Sequence, residues 1–384
     1  MFRRALSSIG LLVIVFSSAV PSASAWRMSR TVYRAGSASS RSVVSQRGRA
    51  RPSLRSSASR TVFSSSSSSF SSSLSSNRDP DTDASLRGRI VMLGAVSPVL
   101  GALNVLSNAE PLIATRFTVV LTSAVTSVDH LQLFDHDGRV IGAARLDSSL
   151  SGNATYVLNL RTRDLQIERR EDYGFYVRAK LKAKDQGGVA GETLQISSAT
   201  VNGDGAWSNR SYSQTATGTF SVHETARSAI TSVVNAGLIE EGIIGGSDRE
   251  IGRFRFSGKR ADSGADVRLT QLTFTISQVG GVTLSSAQIT ADGSSERVDC
   301  TLGASTVSCT LPASFGSLTS SDRTLTLFAG VSVPSNVSRA SLQLSLNQAG
   351  DPTSAGAISW TDGTDTYNWV GLESPVARGT YYSY

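Results

Sequence analysis

The sequence predicts an all-β protein: two tandem β-sandwich domains behind a secretory leader and a disordered Ser/Arg-rich spacer. Three observations carry this. From about residue 90 onward, apolar residues alternate in short runs broken by Gly, Asp, Asn and Ser, the grammar of strands and turns. The pattern occurs twice at a period of about 150 residues, which means two copies of one domain and not a solenoid. The first 89 residues carry no such pattern.

The 384-residue chain opens on Arg3 and Arg4, a short apolar run from Ile9 to Phe16 and the small-residue stretch Ala23-Ser24-Ala25. These are the three parts of a secretory signal peptide, predicted over residues 1–25. The apolar run is far shorter than the ~20 residues a bilayer crossing needs, so no transmembrane span is expected after cleavage. Residues 26–89 hold 12 Arg and 3 Asp among many Ser, including an unbroken Ser run at 64–69. Such a composition cannot bury enough apolar surface to offset chain entropy and is expected to be a disordered spacer.

The net charge of +7 belongs to that spacer, whose balance is +9, whereas residues 90–384 carry −4. The basic character therefore belongs to a tail and not to the folded body, and no nucleic acid is expected as a partner. The arginines suit adsorption to anionic envelope polymers. A leader ending at Trp26 and followed by a Ser/Arg-rich, acid-poor stretch also fits a bipartite plastid-targeting leader of algae with complex plastids, an alternative to plain secretion.

Domains are expected over 90–224 and 225–384. "RFTVVLTSAVTSVDHLQLFDHDG" (116–138) aligns with "QLTFTISQVGGVTLSSAQITADG" (271–293) down to the Asp-Gly turns. "DYGFYVRAKLKA" (172–183) aligns with "RTLTLFAGVSV" (323–333), and "GETLQISSATVNGDGAWSN" (191–209) with "RASLQLSLN" (339–347) and "AISWTDG" (357–363). Alternation names the inward faces: Phe117, Val119 and Leu121 with Phe175, Val177 and Ala179 in the first copy, Leu272, Phe274 and Ile276 with Leu325, Leu327 and Ala329 in the second. The junction from Ala226 to Gly237 reads as a short helix, and the closing "GTYYSY" as a final strand with half-exposed tyrosines.

The segments "TSVDHLQLFDHDG", "QGGVAGETLQIS", "EIGRFRFSG", "RLTQLTFTIS" and "ISWTDGTDTYNWVGLESPVARGTYYS" resemble the repeated β-modules of large secreted surface proteins of candidate-phyla (Patescibacteria-type) bacteria. The resemblance covers about residues 95–384 and extends to the Ser-run spacer. It implies an exported, envelope-associated protein of immunoglobulin-like architecture and brings no catalytic residues. Only two modules are present, so the resemblance does not carry over a long stalk role.

Residues able to carry chemistry are sparse. The three histidines, His130, His136 and His223, lack the close spacing of a zinc site and read as solvent-facing turn residues. Asp135 and Asp137 in "FDHDG", and Asp362 and Asp365 in "WTDGTDT", are candidate calcium ligands. Neither pair spans the twelve-residue loop of an EF-hand, and Asp before Gly is also what a tight hairpin turn prefers. No other cofactor or metal is expected. Trp207, Trp360, Tyr367 and Trp369 are candidate glycan-binding residues, since aromatic rings with polar neighbours hold sugars; the same residues also fit a sandwich core.

Cys300 and Cys309 are the only cysteines. With a turn over Gly303 to Thr306, the flanking strands set Cys300 directly opposite Cys309. The same register places Val298, Cys300, Leu302, Val307, Cys309 and Leu311 on one apolar face. Opposed Cα atoms in an antiparallel pair stand within disulfide reach, and in an exported protein the bond persists. The expected function is that of a secreted or cell-surface structural or adhesion protein of the bacterial envelope, non-enzymatic, meeting envelope components or another surface protein. The alternative is a carbohydrate-binding module protein.

Overall fold

The structure, a computed structural model, describes residues 87–148, 152–161, 165–318 and 322–384. The expected signal peptide and residues 26–86 of the expected spacer lie outside the described residues. All described residues fall in one compact unit, built almost wholly of strands around two hydrophobic cores that share no residue.

The first core is enclosed by β1 (Ile90–Met92), β2 (Gly101–Leu106), β3 (Leu112–Leu121), β4 (Val128–Asp135), β5 (Val140–Ser148), β6 (Ala154–Asn159), β7 (Gln166–Ile167), β8 (Asp172–Leu181), β9 (Thr193–Leu194), β10 (Ile196–Gly205), β11 (Ser211–Thr215), β12 (Thr217–Phe220) and β13 (His223–Ala226). Hydrogen bonding orders its main sheet β11-β10-β3-β6-β5-β4-β8-β2-β12. Only Ala216 separates β11 from β12, so one continuous strand closes the sandwich on that flank, with the Ala216 N–H bonded to the Ala199 carbonyl (2.9 Å). On the other flank β5 does the same, pairing with β4 through Val140–Ala144 and with β6 from Arg145 onward.

The second core is enclosed by β14 (Ser228–Asn235), β15 (Glu240–Gly242), β16 (Gly246–Arg260), β17 (Arg268–Val279), β18 (Thr283–Ala291), β19 (Val298–Asp299), β20 (Thr301–Leu302), β21 (Thr306–Thr310), β22 (Arg323–Ser332), β23 (Ser341–Leu346), β24 (Ile358–Thr361), β25 (Thr366–Tyr367) and β26 (Ala377–Ser383). One sheet runs β14-β16-β22-β18-β19 and the other β15-β26-β23-β17-β21-β20. The segments aligned in sequence occupy matching places. β3 and β17 each pass through a turn into a strand of the opposite sheet, β4 or β18, and β8 and β22 lie beside those strands. All twelve alternating residues named as inward are buried.

Two expectations need correction. Residues 226–237 hold β14 and the end of β13, not a helix. In "RSAITSVVN" the β-branched Ile230, Val233 and Val234 favour extended backbone, and β16 supplies the partner edge along Ser228–Asn235. Arg89, at the end of the expected spacer, is bonded into the fold: its carbonyl accepts the Glu224 N–H (3.1 Å), and β1 then runs parallel to β13.

Candidate functional site

Two polar constructions stand out: the joint where the first core hands over to the second, and the tip of the β10–β11 hairpin. At the joint, β13 is flanked by β1 and β9, and Arg227 leads into β14. Asp362, fully buried, organises the second core's side. Its Oδ1 accepts the N–H groups of Thr364 and Asp365 (both 2.8 Å), and its Oδ2 accepts the Arg227 N–H (2.8 Å) and the Tyr367 hydroxyl (3.2 Å). The Tyr367 hydroxyl also reaches the Thr225 carbonyl at 2.9 Å. The Arg227 guanidinium donates to both oxygens of Asp262 (2.6 and 3.1 Å), which holds that carboxyl below the usual range.

Trp369 donates its indole N–H to Glu224 Oε2 at 2.6 Å; burial pushes the Glu224 carboxyl above its ordinary value, against the pull of that bond. Trp360 stacks on Tyr367 with centroids 4.5 Å apart and donates to the Trp369 carbonyl (2.9 Å). His223 is buried, with Nδ1 accepting the Arg89 N–H (3.0 Å). The neutral ring therefore carries its proton on Nε2, which donates to the Ser221 hydroxyl at 2.7 Å. Burial pushes the His223 pKa down to about 4.

These positions correct several expectations. Trp360, Tyr367 and Trp369 are at most 1 % exposed, so none offers a ring face to a sugar. Asp362 is committed to four protein donors, which leaves it no role as a calcium ligand, whereas exposed Asp365 uses Oδ1 to accept the Thr366 N–H (2.8 Å). Asp135 Oδ1 accepts the N–H groups of Asp137 and Arg139 (3.0 and 2.8 Å), a turn role, and Asp137 is exposed beside His136. No group of three or more His, Cys, Asp or Glu converges among the described residues. His223 is a core residue and not a turn residue.

The cysteines are bonded, with Cα atoms 4.4 Å apart. Thr301 faces Ser308 and Leu302 faces Val307, the register expected from the alternation. The strand before them differs from expectation. Val298 and Asp299 pair with β18, in the other sheet, and the Cys300 N–H bonds to the Ala287 carbonyl (2.8 Å). The bond thus sits where the chain crosses from one sheet to the other.

The second construction was not foreseen, apart from Trp207 itself. Glu110, nearly buried beneath the β10–β11 turn, accepts the N–H of Trp207 (2.7 Å), the N–H of Ser208 (2.8 Å), the Ser208 hydroxyl and the Tyr212 hydroxyl (2.8 Å). The Ser208 hydroxyl foremost, with the two amides and Tyr212, draws its pKa down to about 2 against the opposing effect of burial. Glycine at 205 lets the carboxylate in, because a Cβ there would stand 2.3 Å from the Glu110 carboxyl and push it from its donors. At the apex Trp207 is 68 % exposed, with the Arg169 guanidinium 5.9 Å from its ring centre. Nothing in the spacing of Glu110 marks it, since its partners lie about a hundred residues away.

No family model matches the chain, and no curated protein matches it at a significant level. Among solved structures it is similar to the C-terminal domain of the Streptococcus agalactiae AgI/II polypeptide BspA, at 11% identity over 77% of this chain and 96% of that one, with a TM-score of 0.22. The C-terminal domain of the Streptococcus pyogenes antigen I/II-family protein AspA gives 10% identity, 77% and 94% coverage and a TM-score of 0.23. BcpA, the major pilin subunit of Bacillus cereus, gives 12% identity, 67% and 70% coverage and a TM-score of 0.22. At these scores none of the three fixes the family or the function of this chain.

Proposed function

We propose that the chain is an exported, non-enzymatic structural or attachment protein of the bacterial cell surface, in which a Ser/Arg-rich spacer carries two β-sandwich modules locked by a buried joint. The observation that carries this reading is the bond between the only two cysteines, which persists in an oxidising compartment and would be reduced in the cytosol. The leader features of residues 1–25 agree with it. So does the joint: buried and part-buried hydrogen bonds among Glu224, Thr225, Arg227, Asp362, Tyr367 and Trp369 suit a protein that transmits position or load. Its ionisable groups are used for architecture. Brief protease treatment of intact cells tests the reading. Peptides from residues 87–384 should be released or cut along with known surface proteins. Full protection of that region while those proteins are cut would refute it.

A further inference from the structure

We infer that the β10–β11 tip is a carbohydrate-binding site, with the Trp207 indole as platform for the apolar face of a pyranose ring. This deepens the surface-attachment reading and rests on it, since that setting is where glycans would be met. Three independent features of the tip converge. First, the indole is 68 % exposed, more than any aromatic ring among the described residues except that of Tyr384, and a ring left this far in water adds little to folding stability. Second, its backbone is fixed. One ionised carboxylate, Glu110, receives four donors from Trp207, Ser208 and Tyr212, and the Ala206 N–H is tied to the Pro111 carbonyl (2.9 Å). A side chain on a preorganised loop loses less entropy on binding than one on a mobile loop. Third, polar groups suited to hydroxyls share the tip: the Arg169 guanidinium lies 5.9 Å from the ring centre, and Asn209 and Arg210 are exposed on the same turn. Arg170 and Asn209 hold positive φ (63° and 55°), two of the three such non-glycine residues among those described, and backbone of this kind gathers at ligand sites.

The chemistry selects a sugar over a charged ligand. Arg169, Arg170 and Arg210 are matched by Glu110, Glu168 and Glu171 at the same tip, so it carries no net charge to draw a polyanion. An exposed indole with arginine and amide donors on the same tip matches a neutral pyranose, whose axial C–H groups stack on the face Arg169 leaves open while its hydroxyls accept.

The full chain is displayed on an array of pyranose oligosaccharides and titrated with cellotetraose, chitotetraose and xylotetraose, following tryptophan emission. At least one sugar is expected to bind and shift the emission. Trp207→Ala should lose that binding at least about tenfold, the scale of an aromatic hot spot, with unchanged thermal unfolding. Arg169→Ala should weaken it severalfold. Absence of any bound sugar, binding by Trp207→Ala equal to the parent, or capture by phosphatidylcholine vesicles with no sugar bound would each overturn the assignment. Cell-surface proteolysis of Trp207→Ala should match the parent, so loss of sugar binding and loss of surface location are read separately.

Discussion

The two cores solve one problem in two ways. In each, a strand leaves one sheet and enters the other on the same flank of the sandwich: β5 in the first core, β19 and β20 in the second. β5 manages this as nine continuous residues, with ladder partners on both sides of the crossing. The second core has only two residues in each sheet, separated by Cys300. The registers are equivalent. Arg145 faces Val157 and Leu146 faces Tyr156, and that register, carried one residue back to Ala144, whose own partner is in β4, sets Ala144 toward Leu158 as the register of Thr301 and Leu302 sets Cys300 toward Cys309. Ala144 is buried and Leu158 packs against the first core. A small and a large aliphatic residue suffice where the ladder is long, and a covalent bond stands where it is short. We therefore expect the crossing to be set by strand order and register, with the staple adding stability to it.

The largest expected effect lies at the joint that the cores share. Asp362→Ala strips the Arg227 amide, the Tyr367 hydroxyl and two turn amides of their acceptor and should cost about 3 kcal/mol or more in urea unfolding. It should also split the unfolding of the two cores into separate transitions; a single unshifted transition would deny the joint its role.

Acid should weaken the joint next. His223 is kept neutral in the fold with a pKa of about 4, against 6.5 for an ordinary histidine, so the unfolded chain takes up that proton first as pH falls. The stability tied to this group is full above pH 6.5 and drains away down to about pH 4, by about 3 kcal/mol. Urea midpoints measured across this window should fall for the parent and stay flatter for His223→Gln.

Giving the second core the first core's solution sharpens the comparison directly. Cys300→Ala with Cys309→Leu should cost about 2 to 3 kcal/mol while the β-type circular dichroism spectrum remains. The converse pair, Ala144→Cys with Leu158→Cys, should form a bond without added oxidant beyond air and gain a smaller amount. Failure of the converse pair to close would show the two crossings to be inequivalent.

The staple was readable because period-two alternation forces register, and Cys300 and Cys309 are close in sequence. The inward faces of β3, β8, β17 and β22 were readable for the same reason. What the sequence hid is long-range. Val298 pairs with Ile289 in the other sheet, a choice that alternation cannot make because both pairings bury the same face. Trp360, Tyr367 and Trp369 fit a core or an exposed platform on paper; in the fold all three are buried, with Trp369 tied to Glu224 from 145 residues away. Glu110 and Asp362 look like surface acids until their donors are located. The residues 226–237 misled because short Ala- and Ser-containing stretches satisfy helix and strand alike, and the free edge of β16 settles the matter.

The most direct test of an exported, stapled β-protein is alkylation of the full chain taken from intact cells without reductant, followed by peptide mass spectrometry. The account predicts no alkylated cysteine and one peptide linked through Cys300 and Cys309, with both thiols labelled only after reduction in denaturant. Two labelled cysteines in the native, unreduced chain would contradict it.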